Sequence, residues 1–270
     1  MYRLILVILF GYAPYIAVGL FILGIAYRLF LWTSATALTG MYNVNAGVNE
    51  KSWAATTKEV LKRIFLFYTL QGREKDPELF YGSFLFHWGI WIALFGHLGV
   101  FIPEIYLQDW FGLTPYYHHI LALYVGGAGG LMAFAGMIIL LIRRLGSKQI
   151  KLKLVNEFLI NLKIKRFSFL DDYFADSLLI LIIISGLAQT LGITSTSAAY
   201  IGTISTWVWS LFMLHPNVML IAGYTLFQIH LILVMVFLVY FPWSKMMHPF
   251  SYLLMPTISR PSINIKEEAI

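Results

Sequence analysis

Five separate stretches of roughly 20 or more mostly apolar residues run along this chain, and they leave it few folds to adopt. They extend approximately from Leu4 to Trp32, Ser83 to Leu107, His118 to Ile142, Tyr173 to Ile193 and Pro216 to Tyr240. Each is long enough to cross the hydrocarbon of a bilayer as a helix. Charged residues make up only 12% of the chain and the mean hydropathy is +0.76, so no water-facing surface of ordinary size could be covered. The expected fold is an all-α membrane protein, a five-transmembrane-helix bundle in the cell (cytoplasmic) membrane, read as one domain over residues 1–270 without internal repeats. The first stretch is too long for a cleavable signal peptide, and no small-residue cleavage site follows it.

Basic residues sort between the connecting loops. Arg28, the Lys and Arg residues from Lys51 to Lys75, those from Arg143 to Arg166, and Lys245, Arg260 and Lys266 all fall on one side of such a bundle, leaving Arg3 alone on the other. The positive-inside rule then places the N-terminus outside and the C-terminus in the cytoplasm. The same asymmetry explains the net charge of +6 without a nucleic-acid partner. Lys151 to Phe167 reads as an inner interfacial helix, and Thr203 to Leu214, with Trp207 and Trp209, as its outer counterpart. The cytoplasmic loop over residues 33–81 is long and polar enough to meet a partner.

The chain has no cysteine, which removes iron–sulfur clusters, thiolate zinc sites and covalent haem attachment. A redox centre would have to rest on the seven histidines: His87, His97, His118, His119, His215, His230 and His248. An imidazole inside hydrocarbon is costly unless hydrogen-bonded or bound to metal. His87 and His97 lie ten residues apart on the second stretch, about 15 Å along a helix and about 80° around it. His230 and His248 are eighteen apart, five whole turns, with Pro242 between them to bend or end the helix. Spans two and five run in opposite directions, so His97 pairs with His230 near the outer side and His87 with His248 near the inner side. Two bis-histidine pairs at separate depths describe two haem b groups, whereas zinc or copper would gather three or four ligands at one point. Gly89, Gly96 and Gly99 flank the ligands; small residues there admit a flat macrocycle or a neighbouring helix.

At this level of detail the segments FHWGIWIALFGHLG and QIHLILVMVFLVYFPWSKMMH, with the GGAGG run at Gly126 to Gly130, resemble the respiratory nitrate reductase gamma-subunit family. The resemblance covers essentially all the spans. It implies oxidation of a quinol, such as menaquinol, near the outer haem, with electrons passing inward to a cytoplasmic iron–sulfur subunit. YFPWSKMMH, the long first loop and LLMPTISRPS are most similar to the DsrM branch, which serves dissimilatory sulfite reduction. That branch implies an iron–sulfur partner related to the catalytic subunit of heterodisulfide reductase, together with other subunits of a membrane complex. The nitrate reductase gamma subunit itself and the membrane subunit of heterodisulfide reductase are the alternatives. The family's quinol-site lysine corresponds to His118 here, so the resemblance implies a quinol site at His118, His119 and Gly96.

A transporter or proton channel is the rival from another class. It would need ionisable residues at the membrane midplane; with Glu104 and Asp109 read at the outer side, Asp176 is the one acid expected within a span. No nucleotide loop or nucleophile–base set is visible, so quinol oxidation is the only reaction expected of the chain itself. His215 is expected to be solvated in the loop before span five.

Overall fold

The computed structural model describes residues 2–39, 58, 61–62, 64–67, 76–146, 149–153, 159–163, 168–192 and 198–250. Helix α1 (Tyr2–Leu6) passes through a π-helical segment, Val7–Tyr12, into α2 (Ala13–Thr39). Then come α3 (Pro77–Phe101), α4 (Glu104–Phe111) and α5 (Pro115–Leu121). A second π segment, Ala122–Gly126, joins α5 to α6 (Gly127–Leu145). Helices α7 (Leu170–Thr190), α8 (Ala198–Phe212) and α9 (Thr225–Tyr240) follow. Five of the described helical stretches are long and apolar enough to cross a membrane: Tyr2–Ser34, Pro77–Phe101, Pro115–Leu145, Leu170–Thr190 and Thr225–Trp243. Large apolar side chains stay on their surfaces, as lipid permits; Leu23 is 68% exposed and Phe95 78%.

Several ends differ from the hydropathy pattern, each for a local reason. The second span begins at Pro77 rather than Ser83, because Asp76 caps it and accepts a hydrogen bond from the Leu79 N–H at 3.3 Å. Proline at the first helical position adds to the start signal. The span stops at Phe101 because Ile102, preceding Pro103, is extended at φ −103° and ψ 120°. The fifth span begins at Thr225 rather than Pro216, since Val218–Ile221 forms a buried 3-10 turn.

One of the two expected interfacial helices needs correction. No helix forms over the described part of Lys151 to Phe167: Gln149–Lys153 (β1) and Leu159–Lys163 (β2) pair antiparallel, Gln149 opposite Lys163. Residues 149–153 alternate polar and apolar strictly, and that period of two favours a strand over a helix. Thr203 to Leu214 is helical through Phe212, within α8, and Trp207, 2% exposed, packs in a protein core.

The chain packs as two compact units. The first comprises Met1–Val18 and Leu70–Phe237. Within it, α3 and α6 meet along glycines seven residues apart on each helix: Gly82 and Gly89 against Gly129 and Gly136. A Cβ at Gly89 would lie 2.3 Å from the Ala133 backbone nitrogen, and one at Gly136 2.3 Å from that of Phe86. Only residues without side chains let two membrane helices approach so closely. The seam ends in an ion pair, Arg143 to Asp76 at 2.6 Å, so the α3 cap also binds α6. Arg144 beside it pairs with Asp172 and Asp176 at 3.5 and 3.3 Å. At the opposite end Leu6, Phe10, Ile204, Trp207, Val218 and Ile221 form a core that seats α1, α8 and the 3-10 turn.

The second unit comprises Gly19–Thr69 and Leu238–Ile270. There Gly24 lies against Pro242, where an added Cβ would come within 2.7 Å of the ring, and Phe21 packs on Phe241 at 5.6 Å. Helix α9 ends at Tyr240, two residues before Pro242, and continues as 3-10 turns over Phe241–Trp243 and Lys245–Met247. The expected break between His230 and His248 is therefore present. The LLMPTISRPS stretch and most of the 33–81 loop lie outside the described residues.

Candidate functional site

His97 on α3 and His230 on α9 face each other within the first unit, ring centres 6.3 Å apart and planes inclined by 20°. Each has its Nδ1 committed. Nδ1 of His97 lies 2.7 Å from the Ala93 carbonyl oxygen, one helical turn back. A carbonyl has no proton to give, so Nδ1 carries the hydrogen and Nε2 keeps the lone pair. Nδ1 of His230 lies 2.9 Å from Ser185 Oγ, and that hydroxyl donates to the Ile182 carbonyl, also at 2.9 Å. With its only proton so used, the hydroxyl accepts from His230 Nδ1–H, and Nε2 is again the lone-pair nitrogen.

This is how metal-bound histidines are normally oriented: one ring nitrogen donates to a protein oxygen and the other faces the metal. With both Nε2 lone pairs left free by these Nδ1 bonds, His97 and His230 would be the residues to hold a metal ion here. Among the described residues no three His, Asp or Glu side chains converge, so the donor set is a pair of imidazoles. Two imidazoles would suit haem iron, which takes its other ligands from the macrocycle and would supply one-electron transfer.

His87 is half-buried on the same helix ten residues earlier, its Nδ1 donating to the Ser83 carbonyl at 2.7 Å. Its ring is edge-on to Phe86 at 5.1 Å and tilted against Trp91 at 6.1 Å. His248 belongs to the second unit, where its Nδ1 lies 3.3 Å from the Lys245 carbonyl oxygen and its side chain is exposed.

His118, in the first turn of α5, is 7% exposed and lies over Gly99, two residues beyond His97. A Cβ on Gly99 would come within 2.5 Å of His118 Nε2. Its Nδ1 is buried with no hydrogen-bond partner among the described residues. His119 is half-buried beside it, and His215 is exposed in the turn after α8, its backbone N–H bonded to Ser210 O at 2.9 Å. Of the three glycines beside His87 and His97, Gly89 serves the α3–α6 seam and Gly99 makes room for His118. At Gly96 a Cβ would meet nothing within 4 Å, so it alone borders open space. The π segment Ala122–Gly126 begins three residues after His119, and such bulges recur at functional sites.

Ser185, Gln189 and Tyr200 are the site residues that sequence reasoning missed. Gln189 Nε2 donates to the Ser185 carbonyl at 3.0 Å, and the Tyr200 hydroxyl donates to Gln189 Oε1 at 2.6 Å. Burial, and secondarily Tyr224 alongside, pushes the Tyr200 phenol above its ordinary value, so the donor stays protonated. Two polar residues four apart inside LILIIISGLAQT were the available signal.

The nitrate reductase gamma subunit family profile matches residues 73–266. The nitrate reductase gamma chain of Bacillus subtilis (strain 168) is 27% identical over 248 residues, 90% of this chain and 91% of that protein. The nitrate reductase-like protein NarX of Mycobacterium tuberculosis (strain CDC 1551 / Oshkosh) is 26% identical over 187 residues, 64% of this chain but 26% of NarX. Together with the five apolar helices, these likenesses make the chain a multi-pass protein of the cell membrane.

Proposed function

The chain belongs to the nitrate reductase gamma subunit family, and from that premise we propose that it is a di-haem cytochrome b subunit carrying electrons from membrane menaquinol to a cytoplasmic iron–sulfur subunit. The facing pair His97 and His230, with both Nδ1 atoms committed to protein oxygens, carries the proposal. These two would hold the outer haem, and His87 with His248, by their sequence spacing, the inner one. Haem iron supplies reversible one-electron transfer, which lets the two electrons of a quinol leave one at a time. The chain's own residues bind and deprotonate. His118, its Nδ1 without a hydrogen-bond partner among the described residues, would take a proton from a quinol hydroxyl, with His119 beside it and Gly96 leaving room for the ring.

The terminal reaction follows from the partner. The long first loop and LLMPTISRPS favour the dissimilatory sulfite-reduction branch, with an iron–sulfur protein related to heterodisulfide reductase. A second reading, the gamma subunit of a nitrate reductase, is favoured by the likeness to the Bacillus chain. Asp176, the acid on which a transporter reading would rest, is paired with Arg144. The complex purified through this chain should show two b-type haems in its reduced-minus-oxidised spectrum, and menaquinol should reduce them in proteoliposomes. A colourless complex, or haems that quinol fails to reduce, would sink the proposal. The iron–sulfur subunit that co-purifies decides between the branches.

A further inference from the structure

Span four holds two buried polar side chains that membrane insertion alone would select against: Ser185 at 6% exposure and Gln189 at 7%. A serine inside a helix commonly bonds back to its own preceding turn, and Ser185 does so with Ile182. That habit does not explain why the same oxygen lies 2.9 Å from Nδ1 of His230, forty-five positions on and on another helix. Nor does it explain the remaining links. Gln189 holds the Ser185 carbonyl, Tyr200 on α8 holds Gln189, and Tyr200 packs edge-on to Tyr224 at 5.0 Å, just before α9 begins. A Cβ on Gly186 would touch the His230 ring at 3.3 Å, so the neighbour of Ser185 is the residue that lets the ring approach.

We propose that Ser185 is the positioning residue of the outer haem, its hydroxyl fixing the tautomer and orientation of His230 and raising the donor strength of Nε2, with Gln189 and Tyr200 holding it in place. This rests on the haem reading above. A hydrogen bond accepted from Nδ1–H leaves more electron density on the ring and stabilises the ferric state. The two outer ligands are then unequally tuned. His97 donates to a carbonyl of its own helix, whereas His230 is served from α7, where the Ser185 hydroxyl, removable by a single substitution, lies beside the Ile182 carbonyl.

The test is potentiometric titration of the purified complex, following each haem band and the low-spin ferric resonance, in Ser185→Ala, Ser185→Cys and Ser185→Thr. Ser185→Ala should raise the midpoint of one haem by up to a tenfold change in its ferric–ferrous equilibrium, about 59 mV for one electron, and leave the other unmoved. Threonine keeps the hydroxyl and should restore the wild-type value. Cysteine, a weaker acceptor of similar size, should fall between, and it takes the place of alanine if that variant fails to retain haem. Retention of both haems with unmoved midpoints, an equal shift in both, or a threonine variant that behaves like alanine would each overturn the inference. Failure of the haem reading looks different: the unsubstituted complex would then lack b-type absorbance altogether.

Discussion

At the scale of single residues, the histidines of the apolar stretches stand out in sequence because imidazoles are rare and expensive there, and the structure brings His97 and His230 together. Replacing His97 or His230 with leucine should lower haem b from two to one per chain by pyridine haemochrome assay, with the protein still inserted; two haems retained would remove either residue as a ligand. His118 makes a separable prediction. Its Nδ1 has no hydrogen-bond partner among the described residues and its Nε2 lies over Gly99, so His118→Gln should keep both haems while slowing quinol-driven reduction on the order of hundredfold. Gly99→Ala should act in the same direction, because its methyl would occupy a point 2.5 Å from Nε2 and displace the ring. Wild-type reduction rates in both variants would remove His118 from quinol chemistry. Ser185 was not legible at this scale. Serine is common in membrane helices, and nothing in its neighbours along the chain announces a partner on α9.

At the scale of elements, apolar length identified the spans, while their ends were set by chemistry that hydropathy averages away. Asp76 capping α3, Pro103 ending it, and the 3-10 turn before α9 each moved an end. Strand pairing over 149–153 and 159–163 shows period two prevailing where basic residues among apolar ones had suggested an interfacial helix. Glycine was ambiguous in sequence, serving equally for a cofactor or for helix contact, and at Gly89 helix contact is what the fold uses. Gly89→Val should therefore destabilise the bundle by about 1–3 kcal/mol or more, since the added methyls meet backbone rather than a movable side chain, and detergent melting curves would show it. The Tyr200–Gln189 bond carries a pH signature. Tyr200 binds its proton more tightly folded than unfolded, so the stability it contributes is complete below its ordinary value of 10.0 and declines as pH rises beyond that. Tyr200→Phe should cost about 1 kcal/mol at neutral pH by losing the hydrogen bond to Gln189. The gap between the two melting curves should close in alkaline buffer. A gap constant from pH 7 to 11 would contradict this.

At the scale of the whole molecule, the function depends on which way the bundle is inserted, and the charge pattern makes that testable. All basic residues except Arg3 fall on one side, so the end bearing His118 and the turn at His215 is expected outside, and the end bearing Arg143, Arg144 and Phe169 inside. The absence of native cysteine allows a direct measurement. In intact cells an impermeant maleimide should label His215→Cys, which is exposed, and leave Phe169→Cys, 66% exposed, unlabelled until the membrane is opened. If so, protons leaving a quinol at His118 are released outward while electrons move inward, and each full crossing stores about 2.3 kcal/mol per 100 mV of membrane potential. The reverse labelling pattern would place the quinol end in the cytoplasm and exclude charge separation of that sign. It would also move the proposed iron–sulfur partner away from the loop over 33–81, because electrons would then have to leave at the other end of the bundle. On the proposed reading, orientation thus decides whether electron transfer through the four histidines conserves energy or only connects two redox pools.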